Sequence, residues 1–311
     1  MHVSFPTLNP RRKYDIRDPE MHGRPLDCPG ALFLPPQPAT PRPAVVIALG
    51  LSGPKRDREL RYAEKLAQRG YVALVPNSYA ARGADRHSDL VRALWITPSM
   101  MLADAFAALR FLSRRPEVDR DNIAILGFSY GGMISVLAAY EQVRKHFCRE
   151  KDLRFASHVS YYGCSIPRFD DPTTTGAPVL MLVGRLDRNV SIKRSRQIAD
   201  DLRRGGSDVR FALFEDSYHQ WDRVPAGPES VFYALADCHL RIACDGSARD
   251  ERTGLPIAGT PSYLLFLARN ARLRGYTMLR DEKAARRSDE MLFAFLARDE
   301  RSAATSISSE R

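Results

Sequence analysis

The five residues Gly127-Phe128-Ser129-Tyr130-Gly131 spell G-x-S-x-G. The run before them, Ile123-Ala124-Ile125-Leu126, is apolar and β-branched and reads as a buried strand. From Met133 the pattern turns helical, with Met133, Val136, Leu137 and Tyr140 on one face. A strand-to-helix turn of this kind lifts the serine out of the sheet in a strained backbone geometry. It leaves no room for Cβ atoms two positions to either side, hence the glycines. The hydroxyl then stands at a helix N-terminus, whose free N–H groups and dipole favour developing negative charge. The chemistry this points to is attack by Ser129 on a carbonyl. Outside the strand-turn-helix setting the same pentapeptide would be an ordinary turn with a surface serine.

A serine hydroxyl is a poor nucleophile at neutral pH and needs a base, normally a histidine oriented by a carboxylate. In an open α/β sheet such groups gather at the carboxyl ends of strands. Of seven histidines, His219 lies just after a late strand, Val209–Phe214, in the loop Glu215-Asp-Ser-Tyr-His-Gln-Trp-Asp222. His87, in the loop after Val75, is its rival. Asp187 directly follows the strand Val179–Val183 and is the candidate acid, although aspartate is common in any turn. Asp170 and Asp171, at a distance after the preceding strand, are the alternatives. An oxyanion hole needs two backbone donors. Tyr130 N–H, next to the nucleophile, is one, and Leu51 N–H in Gly50-Leu51-Ser52-Gly53 is the expected other. Gly50 and Gly53 match neither phosphate-binding glycine pattern.

The elements that must hold these groups follow a regular alternation from Ala44. Strands are predicted at Ala44–Leu49, Tyr71–Val75, the run into the turn, His158–Tyr162, Val179–Val183 and Val209–Phe214. Helices are predicted at Asp57–Arg69 (capped by Asp57), Pro98 to about Arg114, after Ser129, and at Ile192–Arg204. Strands alternating with helices mean a mostly parallel sheet covered on both faces, an α/β fold. Residues 1–43 are Pro-rich and are expected to hold edge strands, one near Ala31–Leu34, with turns at Asp27-Cys-Pro-Gly30 and Pro35-Pro36. Residues 220–280 break the rhythm: a hairpin over Phe232–Arg252 turning at Asp245-Gly246, then a helix-like Leu264–Arg274. A last amphipathic helix, Glu282–Ala297, should turn Met291, Leu292, Phe295 and Leu296 inward, ahead of a disordered tail from Arg301. One domain over residues 1–300 is expected.

With 311 residues, 44% hydrophobic and 27% charged, the chain has ordinary globular composition and can bury a sizeable core. Apolar runs are of strand length, and Arg11-Arg12-Lys13 precedes no apolar stretch, so neither a membrane span nor a secretory signal is expected. Five cysteines, odd in number and without C-x-x-C, imply no disulfide or zinc framework and suit a reducing cytoplasm. Cys238 and Cys244 could approach on the hairpin, but buried free thiols are the expectation. Net charge is +10, yet the basic residues are interleaved with acids rather than gathered into an aromatic-studded stripe, which argues against nucleic acid.

The order Ser129, Asp187, His219 is that of the α/β-hydrolase fold. The chain resembles the dienelactone hydrolase family within that fold, through Leu66-Ala-Gln-Arg-Gly-Tyr-Val-Ala-Leu-Val-Pro-Asn-Ser-Tyr79, Tyr161-Tyr-Gly-Cys164 and Pro178-Val-Leu-Met-Leu-Val-Gly-Arg-Leu-Asp187. The likeness covers about residues 25–222 and returns at the final helix. Two departures stand out. Dienelactone-cleaving members carry cysteine in G-x-C-x-G and a glutamate after the early strand, where this chain has Ser129 and Ala48-Leu49-Gly50-Leu51. The resemblance also implies an arginine for a substrate carboxylate. Arg82, in Tyr79-Ala-Ala-Arg82, is displaced by one residue and is the candidate, with Tyr79 and Trp221 as further substrate contacts.

The expectation is a serine esterase or lactonase working through an acyl-enzyme, with no cofactor or metal, a small-molecule ester or lactone as partner, and the 220–280 insert near the mouth of the site. A peptidase or acyltransferase of the same fold is the alternative, and a non-catalytic binding protein a third. The lack of a propeller-type gating domain weakens the oligopeptidase form, and the complete Ser, Asp and His set weakens the last.

Overall fold

The computed structural model describes residues 1–10, 23–36, 41–224, 227–272 and 275–308. The chain opens with an antiparallel pair, β1 (His2–Pro10) and β2 (Gly23–Phe33). Asp27–Gly30 is therefore strand rather than turn. Pro25 and Pro29 are tolerated because β2 there pairs with β1 alone, its second neighbour joining only from Gly30. Pairing then runs through β3 (Arg42–Ala48), β4 (Val72–Pro76), β5 (Val118–Phe128), β6 (His158–Tyr161), β8 (Val179–Gly184) and β9 (Val209–Phe214), while the short β7 (Pro167–Phe169) lies outside this sheet. The order is β1-β2-β4-β3-β5-β6-β8-β9, parallel from β4 to β9. The central strands are continuous buried runs, as a sheet covered on both faces requires.

One face carries α1 (Glu59–Gln68) and α8 (Glu282–Ser308), joined by the Tyr62 hydroxyl on Asp289 Oδ1 at 2.8 Å. The other carries α3 (Pro98–Ser113) and α4 (Tyr130–Leu137), followed by α5 (Glu141–Phe147). α6 (Ile192–Arg204) packs on β9. α1 begins after Arg58, without a side-chain cap from Asp57. The loop expected up to Thr97 holds α2 (Asp89–Trp95), whose cap is Ser88. α8 runs on past Ala297 to Ser308, where a tail was expected, because the Ala- and Ser-rich stretch contains neither glycine nor proline to stop it. Residues 309–311 lie outside the described residues. Leu292, Phe295 and Leu296 are buried and Met291 half-buried, as the amphipathic pattern requires.

The 220–280 insert contains β10 (Glu229–Val231), β11 (Leu240–Ile242), β12 (Ala248–Asp250), α7 (Thr260–Asn270) and β13 (Tyr276–Met278). β11 and β12 form the expected hairpin, with Gly246 at φ 83° in its turn, and β11 also pairs parallel to β7. β10 pairs with β13. All five cysteines are free. Four are buried, but Cys244 is exposed, contrary to expectation. No single helix among the described residues is long and apolar enough to cross a membrane.

Candidate active site

The sheet changes winding direction at β3: β4 lies on one side of it and β5 on the other. In an open α/β sheet the crevice at such a switch, beyond the strand carboxyl ends, is where ligands bind. Both candidate oxyanion donors and the candidate nucleophile emerge there. Ser129, between β5 and α4, has φ 54° and ψ −111°, a region where a side chain is strained. The glycines make the turn possible: a Cβ on Gly127 would stand 1.9 Å from Gly131 O, and one on Gly131 would stand 2.1 Å from Ala48 O. The second contact also shows that α4 starts directly against the end of β3. The described non-glycine residues with positive φ are Ser129, Tyr162 and Gln220, all at this crevice, the pattern of strain held at a functional site.

The structure brings Ser129, His219 and Asp187 into one line. His219 Nε2 is 2.9 Å from Ser129 Oγ, and His219 Nδ1 is 2.6 Å from Asp187 Oδ2. With the proton on Nδ1, that nitrogen donates to the carboxylate and Nε2 accepts from the serine hydroxyl. The other carboxylate oxygen, Asp187 Oδ1, accepts the N–H of Asn189 at 2.8 Å. All three side chains are buried, so water does not compete strongly for these bonds. The rivals stand elsewhere. His87 is exposed beside Trp95, Asp170 pairs with Arg241 and Arg249, and Asp171 accepts from Thr173 on the surface.

Tyr130 is the first residue of α4, so its N–H has no partner within the helix. Leu51 lies in the turn closed by Gly53 N–H on Gly50 O. That turn is pinned from behind: Glu59 accepts Gly50 N–H at 3.1 Å, Tyr79 donates to Gly50 O at 3.1 Å, and Arg92 donates to Leu51 O at 3.1 Å. Glu59 is itself buried against Arg58 at 2.7 Å. Among the described residues no three His, Cys, Asp or Glu side chains converge as metal ligands.

The sequence profile of the dienelactone hydrolase family matches residues 28–230, well over half of the chain. The chain belongs to the dienelactone hydrolase family. Among curated proteins it is 27% identical over 172 residues to the uncharacterized peptidase YtmA of Bacillus subtilis, covering 45% of this chain and 61% of the relative. It is 30% identical over 117 residues to the uncharacterized protein PA2218 of Pseudomonas aeruginosa, covering 36% and 30%. The match thus spans less than two thirds of either relative's length. Among solved structures it is similar to the dienelactone hydrolase-like promiscuous phosphotriesterase P91 from metagenomic libraries. There the TM-score is 0.58 at 18% identity, over 96% of this chain and 98% of the other. It is also similar to the propionate-bound esterase Est2 of Thermogutta terrifontis, with TM-score 0.51 at 19% identity over 65% and 83%. Identities this low show the α/β-hydrolase fold and no more.

Within this dienelactone hydrolase family member the expected substrate contacts do not hold. Arg82 faces the protein: it pairs with Asp104 at 2.7 Å and donates to Asn9, Ser78 O and Leu8 O, with its side chain 3% exposed. It ties β1 to α3 and has no donor left for a substrate carboxylate. Trp221 is fully buried, with Nε1 donating to Ser288 Oγ at 3.1 Å and its ring against Tyr162 and Phe214. Tyr79, also fully buried, supports the Gly50 turn from below.

Three residues near the site escaped the sequence reading. Cys164 N–H donates to Ser129 O at 3.2 Å, and its thiol lies among Ser129 and Asp187. Burial, reinforced by the Asp187 charge, pushes that thiol up to about 12, so it stays protonated and is no competing nucleophile. Tyr162 and Tyr276 stand edge-on to the His219 ring at 4.9 Å and 5.0 Å. Only Tyr162 and Cys164 had a sequence signal, within Tyr161-Tyr-Gly-Cys164, and that signal named no role.

Proposed function

We propose that the chain is a serine hydrolase of carboxylic esters or lactones that works through an acyl-enzyme. The observation that carries this reading is the continuous relay from Asp187 Oδ2 through both nitrogens of His219 to Ser129 Oγ. His219 Nε2 takes the Ser129 proton as Oγ attacks the carbonyl carbon. The tetrahedral oxyanion is held by the N–H groups of Tyr130 and Leu51. Its collapse expels the alcohol, which takes the proton from Nε2, and Ser129 is left acylated. Water then attacks the acyl carbon with Nε2 again as base, the acid departs, and the serine recovers its proton. Asp187 holds the imidazole tautomer and stabilises the imidazolium without being protonated. General-base help of this kind is typically worth about 10²–10⁴ in rate, and one oxyanion donor about 10²–10³. Ser129 in place of cysteine favours ordinary esters over dienelactone, and the inward-facing Arg82 removes the expected reason to favour anionic substrates.

The test is a panel of p-nitrophenyl esters, lactones and p-nitroanilides, run on wild type and Ser129→Ala. Ester or lactone turnover that disappears in Ser129→Ala is expected. Equal turnover in both proteins overturns the reading, and turnover of the anilides alone would favour the peptidase that one relative's name suggests.

A further inference from the structure

The 220–280 insert touches the base and the acid of the relay by separate routes. His219 is reached through β13. The Tyr276 ring stands edge-on to the imidazole at 5.0 Å, at an interplanar angle of 79°. The same strand pairs with the histidine's own backbone: Met278 bridges to His219, and Leu279 N–H donates to His219 O at 3.3 Å. Two residues on, Asp281 N–H donates to Trp221 O at 2.8 Å and closes the histidine loop from its far side. Asp187 is reached through Asn189. Its backbone N–H donates to the carboxylate at 2.8 Å, and its side-chain Oδ1 accepts Leu235 N–H of the insert at 3.0 Å. Asn189 is 4% exposed, so solvent does not replace the Leu235 amide.

A hydrogen bond at each imidazole nitrogen fixes the ring's position but only weakly its tilt. A misplacement of about 1 Å in a catalytic group costs about 100-fold in rate. Tyr162 also stands edge-on to the ring, at 4.9 Å, so the two tyrosine contacts together limit the tilt that the hydrogen bonds leave free. A segment that swung away as a lid would have to break the Leu279 and Leu235 hydrogen bonds together, and would unseat the relay each time it opened.

We propose that the insert is a fixed positioning element for the Asp187–His219 pair, with Tyr276 setting the imidazole plane and Asn189 the carboxylate. This rests on the reading of that pair as base and acid, and the test separates the two claims. Tyr276→Ala, Tyr276→Phe and Asn189→Ala are made in the full chain, and each is checked for folding by circular dichroism. The first readout is the far-downfield proton resonance of His219 Nδ1–H against Asp187 in the unliganded protein, which needs no substrate. The second is kcat and KM on whichever ester wild type turns over.

Tyr276→Ala and Asn189→Ala should lose or broaden the resonance and lower kcat about 10- to 100-fold, with KM nearly unchanged. Tyr276→Phe, which keeps the ring, should restore both. A sharp resonance and unchanged kcat in the two alanine variants, with KM raised, would overturn the proposal and leave the insert as a substrate wall. If Tyr276→Ala does not fold, Asn189→Ala decides. If wild type shows the resonance but hydrolyses nothing, the functional reading has failed, and the resonance in the variants still decides the positioning claim.

Discussion

His219 Nε2 lies 2.9 Å from Ser129 Oγ although 90 residues of chain separate them. Two strands of one sheet bring them together. β5 ends at the strained serine, and β9 ends five residues before the histidine. The contact is a property of the sheet order as much as of the two side chains.

If the imidazole depends on its carboxylate, Asp187→Asn should fold normally and lose about 10⁴ in kcat, because the amide favours the wrong tautomer. A Ser129→Ala/His219→Ala double variant should be no slower than either single one, since the members act as a unit. Steady-state kinetics on the four variants and wild type check both statements, and additive losses would speak against a shared relay.

The strand-to-helix turn around Ser129 is sterically closed. Gly131→Ala places its Cβ 2.1 Å from Ala48 O and 2.8 Å from Leu49 O, both backbone atoms that cannot step aside. Loss of the native state is expected, at a cost of several kcal/mol. Gly227, with nothing within 4 Å of its would-be Cβ, is the control: Gly227→Ala should leave the unfolding midpoint unchanged.

Arg82 and Asp104 form a buried pair with side chains 3% and 0% exposed, joined by Thr7 Oγ1 on Asp104 at 2.9 Å. Arg82→Ala strands the carboxylate and should cost about 3–5 kcal/mol, whereas Arg82→Met with Asp104→Leu should recover most of that. Chemical denaturation measures this. The rate ratio between anionic and neutral esters should not move in the double variant, and a large change would return Arg82 to the substrate.

His158, fully buried on β6, donates from Nδ1 to Ser135 O at 2.9 Å, and burial holds its pKa down at about 4 against an ordinary 6.5. As pH falls, the unfolded chain takes up this proton first. The contribution to stability is therefore complete above about 6.5 and is lost between about 6.5 and 4, on the order of 3 kcal/mol in all. Denaturation midpoints across that range should fall with pH in wild type, with a shallower slope in His158→Asn.

What the sequence made legible follows physical reach. The meeting of Ser129, Asp187 and His219 could be read because each lies within five residues of a strand's carboxyl end, and strand periodicity is local. β8, α6 and β9 stand within a residue of expectation for the same reason. Arg82 was misread because its partner Asp104 lies inside the mostly apolar α3, where nothing local marks it as a counter-charge. Trp221 was misread because the positive φ of Gln220, invisible in the sequence, turns the following ring into the core. Tyr276 gave no signal: β13 is three residues long, and its meaning lies in a contact with a residue far back in the chain.

The central claim is that Ser129 is an activated nucleophile, and covalent capture tests it most directly. The intact protein is incubated with a fluorophosphonate and analysed by mass spectrometry with peptide mapping. A single phosphonyl adduct on Ser129, formed in wild type and absent in His219→Ala, is expected. No adduct, or one on another residue, would contradict the assignment.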